Sequence, residues 1–246
     1  MLNVSNWTLR HPKGVKELLA AQEKLEELVH VPAPGNEGFL SAETLEAAID
    51  QQTRFALYNG DERRQAINLA QNTIERELKV QVNANLDSYI TQVKKIFEPA
   101  AEAYTEAVEK LPTGKFAADD VLNFNAGERE AYHSARDAAG VISWAADWLW
   151  ELLDLPGQRL GNWDKYFLVC EPGNVGGLVC LQLEEDYAGE PAYGALLPPV
   201  LRAVREGASL RIATPSQARV AAEEQEQVRL SISDQDWLNL RRYLKL

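Results

Sequence analysis

The chain holds three histidines, and two of them follow a glutamate by three positions: Glu27 with His30, and Glu130 with His133. Two Glu-x-x-His motifs plus two further inward glutamates are what a helical bundle needs to hold a di-iron centre. Helical phase argues against that use. Glu27 falls opposite the apolar stripe of its helix, and His133 points about 160° away from the apolar centre of its own, so both motifs read as solvated faces.

Cys170 and Cys180 would lie opposite one another across a hairpin turning at Asn174 to Gly176. Their apolar neighbours make them small core residues, since a redox pair needs an exposed, low-pKa thiol. The glycines of Pro172-Gly173-Asn174-Val175-Gly176-Gly177 precede no Gly-Lys-Ser/Thr and read as turn chemistry, not as a phosphate cradle. Thr214, Ser216 and Arg219 make a better anion candidate, because a helix opening directly after a strand points free amides outward, and Arg202, Arg205 and Arg211 lie near in sequence. The plainer account is a capped helix with surface arginines. Glu184-Glu185-Asp186, even with Asp164, lack the partnering lysine of nuclease carboxylate sites and read as a solvated loop. No G-x-S-x-G, H-E-x-x-H, Rossmann or Walker pattern occurs, so the sequence assigns no catalytic residue, no cofactor and no metal ligand.

The elements that would position such groups follow from hydrophobic period. Residues 12 to 30 read as an amphipathic helix with Val15, Leu18, Leu19, Leu25, Leu28 and Val29 at helical spacing. Ser41 suits the N-cap of a second, roughly 42 to 57, with Leu45, Ala48, Ile49 and Phe55 as its apolar side and Asn59-Gly60 as its stop. The third, from about Asp61 to Leu111, carries the most specific pattern in the chain: Ile67, Leu78, Tyr89, Ala100 and Leu111 recur every eleven residues. Gln71, Val82, Val93 and Tyr104 form a parallel row, as do Ile74, Asn85, Ile96 and Ala107, and Leu86, Phe97 and Val108. An eleven-residue repeat averages about 3.67 residues per turn, so the stripe runs almost parallel to the axis and the helix packs along its length. Pro99 is the one place where a kink or a fresh start is expected. A short helical piece, about Ala117 to Phe124, leads to an alanine-rich helix from about Gly127 to Leu153, whose Trp144, Trp148 and Trp150 lie outside its core-facing arc.

After residue 158 the pattern changes. Lys165 to Glu171 and Gly177 to Leu183 read as the strands of a hairpin, followed by a helix at about Pro199 to Glu206, a strand at Leu210 to Ala213, a helix from Thr214-Pro215 to about Gln225, a strand at Val228 to Ile232, and a closing helix capped by Ser233 and Asp236. The expected fold is therefore α+β, predominantly α: a long-helix bundle or coiled-coil-like region over 1–158, then a small α+β domain with a β-hairpin over 159–246.

Composition bounds the function. Of 246 residues, 37 are acidic and 25 are Lys or Arg, a net charge of -12, which opposes generic binding to nucleic acid or anionic lipid. Residues 1–158 carry -10 of this and residues 159–246 carry -2. Two cysteines, no signal-peptide pattern at the start and no apolar run of spanning length place the chain in the cytoplasm with no membrane span. The preferred reading is a non-enzymatic protein–protein interaction or assembly protein, its partner another protein or a second copy, contacted through Ile67, Leu78, Tyr89, Ile96, Phe97 and Tyr104. A second reading is a small-molecule binder or enzyme with a pocket at a junction lined by Trp144, Trp148, Trp150 and Trp163. A third is an acidic inhibitor or decoy of a basic protein, of the kind phage and mobile elements encode.

Overall fold

The structure is a computed structural model that describes residues 4–29, 35, 43–58, 60–182 and 190–244. The fold is α+β and predominantly α: eleven α-helices and a two-stranded antiparallel sheet among the described residues, 76% helical in all. No helix is long and apolar enough to cross a membrane among the described residues. The chain groups into two units, Val4–Leu86 and Asp87–Leu246. Residue 158, where the sequence pattern changes, lies inside the larger one.

In the smaller unit a 3-10 turn at Val4–Asn6 precedes α1 (Lys13–Val29), α2 (Leu45–Tyr58) and α3 (Asp61–Ala84). α1 and α3 pack antiparallel. The Arg63 guanidinium donates to the Leu28 carbonyl at 3.1 Å, closing the end of α1, while Gly14 near its start lies against the Gln81 side chain on the last turns of α3. Val15, Leu78 and Val82 are the buried centre of this pair. The segments expected to link α1 to α2, with Ser41 as N-cap, and the stop at Asn59 lie outside the described residues, as does His30.

The helix expected over 61–111 is two helices, α3 and α4 (Leu86–Lys110), interrupted at Asn85. The Asn85 side-chain amide donates to the Gln81 carbonyl at 2.8 Å, and its backbone leaves helical values at φ -109° and ψ 15°. A short amide side chain competing for its own helix's carbonyls is the reason. Pro99, by contrast, stays within α4. It is exposed, so the carbonyl left without a donor by the missing N–H faces water.

The larger unit is built on α4, α5 (Ala118–Asn123) and α6 (Ala126–Glu151), and after residue 158 the 3-10 turn Lys165–Leu168 packs onto α6. α6 begins with a reciprocal cap, the Asn125 side chain accepting from Glu128 N at 3.0 Å and the Glu128 carboxylate accepting from Asn125 N at 2.9 Å. Its alanines at 131, 135, 138, 139, 145 and 146 are buried, which lets neighbouring backbones approach closely. α4 contributes Tyr89, Val93, Phe97, Tyr104 and Val108 to the same core.

The expected hairpin is not there. β1 (Cys170–Glu171) pairs instead with β2 (Ser209–Leu210), Cys170 opposite Leu210 and Glu171 opposite Ser209. The run expected as the second hairpin strand is a helix, α7 (Val175–Gln182). Six of its eight residues are buried, and a short segment apolar on all sides has no period by which to tell a core strand from a core helix. The first expected strand begins as a 3-10 turn at Lys165–Leu168, because the Asp164 carboxylate accepts from Tyr166 N at 3.0 Å. Then follow α8 (Pro191–Gly194), α9 (Pro198–Arg205), α10 (Pro215–Leu230) and α11 (Asp234–Leu244). The strand expected at 228–232 is the last turn of α10 and the turn after it; Arg229 reaches back to Glu226 at 2.7 Å and holds the helix there. Thr214 and Ser233 cap α10 and α11 as their spacing predicts, accepting from Gln217 N at 3.3 Å and Asp236 N at 3.2 Å.

Candidate functional site

The eleven-residue stripe divides by position. Leu78, Tyr89, Phe97 and Tyr104 are buried by their own chain, Ile67 is half-buried, and Ile96 is exposed. Tyr104 donates its hydroxyl to the Leu196 carbonyl, and complete burial pushes its phenol well above the ordinary value. Burial likewise pushes Tyr89 up to about 12. These are core side chains, and within this conformation they offer no surface to a partner.

The four tryptophans sit in different surroundings. Trp148 is buried, Trp144 half-buried and Trp150 exposed on α6, while Trp163 is half-buried against Phe167 with ring centroids 5.0 Å apart. Close to them in sequence lies a polar clamp. Lys165 donates to Asp147 on α6 at 2.6 Å, and Tyr166 hydrogen-bonds the Ser143 side chain. Burial alone would lower the Lys165 ammonium, but the Asp147 hydrogen bond and the charges around it outweigh this and hold it above its usual value. Burial raises Tyr166. The clamp ties the 3-10 turn to α6.

Thr214, Ser216 and Arg219 do come together at the start of α10. Ser216 and Arg219 line an open hollow of about 560 Å³ with Leu153, Gly157, Gln158, Arg159, Leu160 and Gly161. Several donors at this helix start are already engaged. Pro215 carries no N–H, Gln217 N is taken by the Thr214 side chain and Ala218 N by the Thr214 carbonyl, while Arg219 is held by both carboxylate oxygens of Glu223 at 2.9 and 3.1 Å.

Cys170 and Cys180 are buried free thiols, each pushed up to about 12 chiefly by burial, so neither is a nucleophile near neutral pH. Glu130 and His133 are exposed on α6. Among the described residues no group of three or more His, Cys, Asp or Glu is placed to hold a metal. Glu184, Glu185 and Asp186 lie outside the described residues.

What the glycine motif does was not legible in its spacing. Asn174 accepts from Gly177 N at 2.9 Å as the cap of α7 and donates to the Glu206 carbonyl at 2.5 Å, fastening α7 to the end of α9. A Cβ on Gly177 would meet the Pro172 carbonyl at 2.2 Å, and one on Gly176 would meet the Glu206 carboxylate at 2.9 Å. The Glu206 carboxylate thus lies against Gly176 in the first turn of α7.

The smaller unit leaves large apolar side chains exposed on each of its three α-helices. Leu28 and Val29 on α1, Leu45, Ile49 and Leu57 on α2, and Leu69 and Val80 on α3 are all exposed. Between α1 and α3 lies a cavity of about 190 Å³ with Leu25, Val29 and Ile74 in its lining and Glu26 and Glu75 among the polar residues around it. The apolar positions of α2 were legible in the sequence, but which of them its own chain would cover was not. No protein-family model, curated protein or solved structure matches the chain.

Proposed function

We propose that the protein is a non-enzymatic interaction or assembly protein of the cytoplasm, with another protein or a second copy of itself as partner. One observation carries this reading: the unit Val4–Leu86 leaves seven large apolar side chains exposed on its three helices. Scattered apolar residues are normal on a surface, but a unit this small that keeps them on every α-helix resembles one half of an interface. The partner surface shifts accordingly from the stripe, whose Leu78, Tyr89, Phe97 and Tyr104 are core, to the smaller unit and to Ile96. The net charge of -12 favours a protein over nucleic acid.

The test is a photo-crosslinking residue placed singly at Ile49, Leu57 and Leu69 in cells expressing the protein. A discrete protein adduct from these sites, absent from a control at Thr105, is expected. No adduct from any of the three overturns the reading.

A further inference from the structure

α2 is 14 residues long, and an isolated helix of about that length is marginal in water. Its own chain covers little of it. Ala48 is buried and Phe55 half-buried, both on one side. On the other side, at about 100° per residue, Leu45, Ile49, Thr53, Ala56 and Leu57 fall within about 120° of arc. Leu45, Ile49 and Leu57 are 41, 50 and 73% exposed. Glu46 lies inside this arc beside Leu57, and Asp50 and Arg54 pass outward from its edge at one-turn spacing, all three exposed and none in an ion pair with a described residue.

The strip is complementary to itself. We infer that α2 docks antiparallel on α2 of a second copy of this chain, an inference that rests on the interaction reading above. About a two-fold axis near residues 50 and 51, positions whose numbers sum to about 101 face one another. Leu45 then meets Ala56 of the second copy, and Ile49 meets the Gln52–Thr53 turn. On the flank, Glu46 lies opposite Arg54 twice per dimer, while Asp50 faces its own copy. In a parallel pairing this flank would face the opposite edge of the partner helix, and Glu46 and Arg54 would not meet. Flanking charges of this kind choose the orientation of an apolar helix seam. Two helices this short bury less than about 1,200 Å², which is the weak class of interface and fits an association in the micromolar range.

The experiment uses full-length protein with Glu46→Arg and Arg54→Glu made separately, each checked for helicity by circular dichroism. Sedimentation equilibrium from about 1 to 500 μM spans the weak class. Wild type is expected to dimerise reversibly, and each variant alone to dissociate at least about fivefold more readily, because both flank pairs become repulsive. An equimolar mixture of the two variants restores wild-type affinity, since each pair is then again Glu against Arg, and native mass spectrometry shows the heterodimer. Asp50→Asn tightens the dimer. A wild-type monomer throughout the range overturns the inference, and so does a dimer that both variants and Asp50→Asn leave unmoved or that mixing does not restore. A monomer that still gives a crosslinked adduct of another protein at Ile49 overturns self-docking and leaves the interaction reading standing. No adduct at all overturns both.

Discussion

Helices α4 and α7 of the unit Asp87–Leu246 and α2 of the unit Val4–Leu86 use their apolar side chains in opposite ways. In the larger, α4 buries Tyr89, Val93, Phe97 and Tyr104 completely, and α7 buries nearly every residue it has. In the smaller, α2 buries Ala48 alone among its described side chains, and Ile49 and Leu57 face outward. Amphipathic pattern states that a face must be covered; it does not state by what. Where the cover comes from the same chain the result is a core, and where it does not the result is a surface available to another molecule.

The comparison breaks first at Gly177. Gly177→Ala drives a Cβ into the Pro172 carbonyl, a backbone atom that cannot swing aside, and is expected to cost on the order of 4 kcal/mol or more in chemical denaturation of the larger unit. A loss under about 1 kcal/mol would show that the start of α7 is looser than the geometry requires. Phe97→Ala is expected to cost about 3 to 5 kcal/mol by the same measurement, since it empties a fully covered site.

The two units should also answer pH in opposite directions. Cys170 and Cys180 rise from 9.0 to about 12 on folding, so the stability they lend is present below pH 9 and is lost as pH climbs toward 12; Tyr89 and Tyr104 act in the same sense. His11, in the smaller unit, is lowered from 6.5 by burial and by Lys16, so its contribution is present above pH 6.5 and fades as pH falls. Hydrogen exchange followed by mass spectrometry is expected to show protection lost first after residue 87 in alkali and first around α1 in mild acid. Loss of protection in the same order at both extremes would remove the contrast.

The smallest expected effect is the sharpest test. Ile49→Ala should shift the stability of dilute, monomeric protein by no more than about 0.5 kcal/mol, because the side chain is already half in water. A cost near that of Phe97→Ala would mean that α2 is packed after all.

Helix extents were largely legible in the sequence. α1, α6 and α9 lie within a residue or two of their expected bounds, because each has a clear 3.6-residue period and recognisable ends. The failures share a cause. α7 is apolar all round, the Lys165–Leu168 turn is followed by consecutive buried residues that neither alternate nor recur, and the end of α10 carries β-branched residues on a helix held by an Arg229–Glu226 contact. The first is settled by burial among neighbours distant in the chain, the other two by side-chain contacts a few residues away. The Thr214, Ser216 and Arg219 grouping was visible from local order, whereas the competition that takes up its donors was not. Trp144, Trp148 and Trp150 lie on α6 as their spacing predicts, but their separate burial was not legible there.

One long-range contact bears on how the chain is made. The carbonyls of Leu111 and Pro112, in the turn just after α4, are met at 3.3 and 2.8 Å by the guanidinium of Arg205, 94 and 93 positions downstream. On the ribosome, then, the turn after α4 emerges well before the α9 arginine that meets its carbonyls has been synthesised.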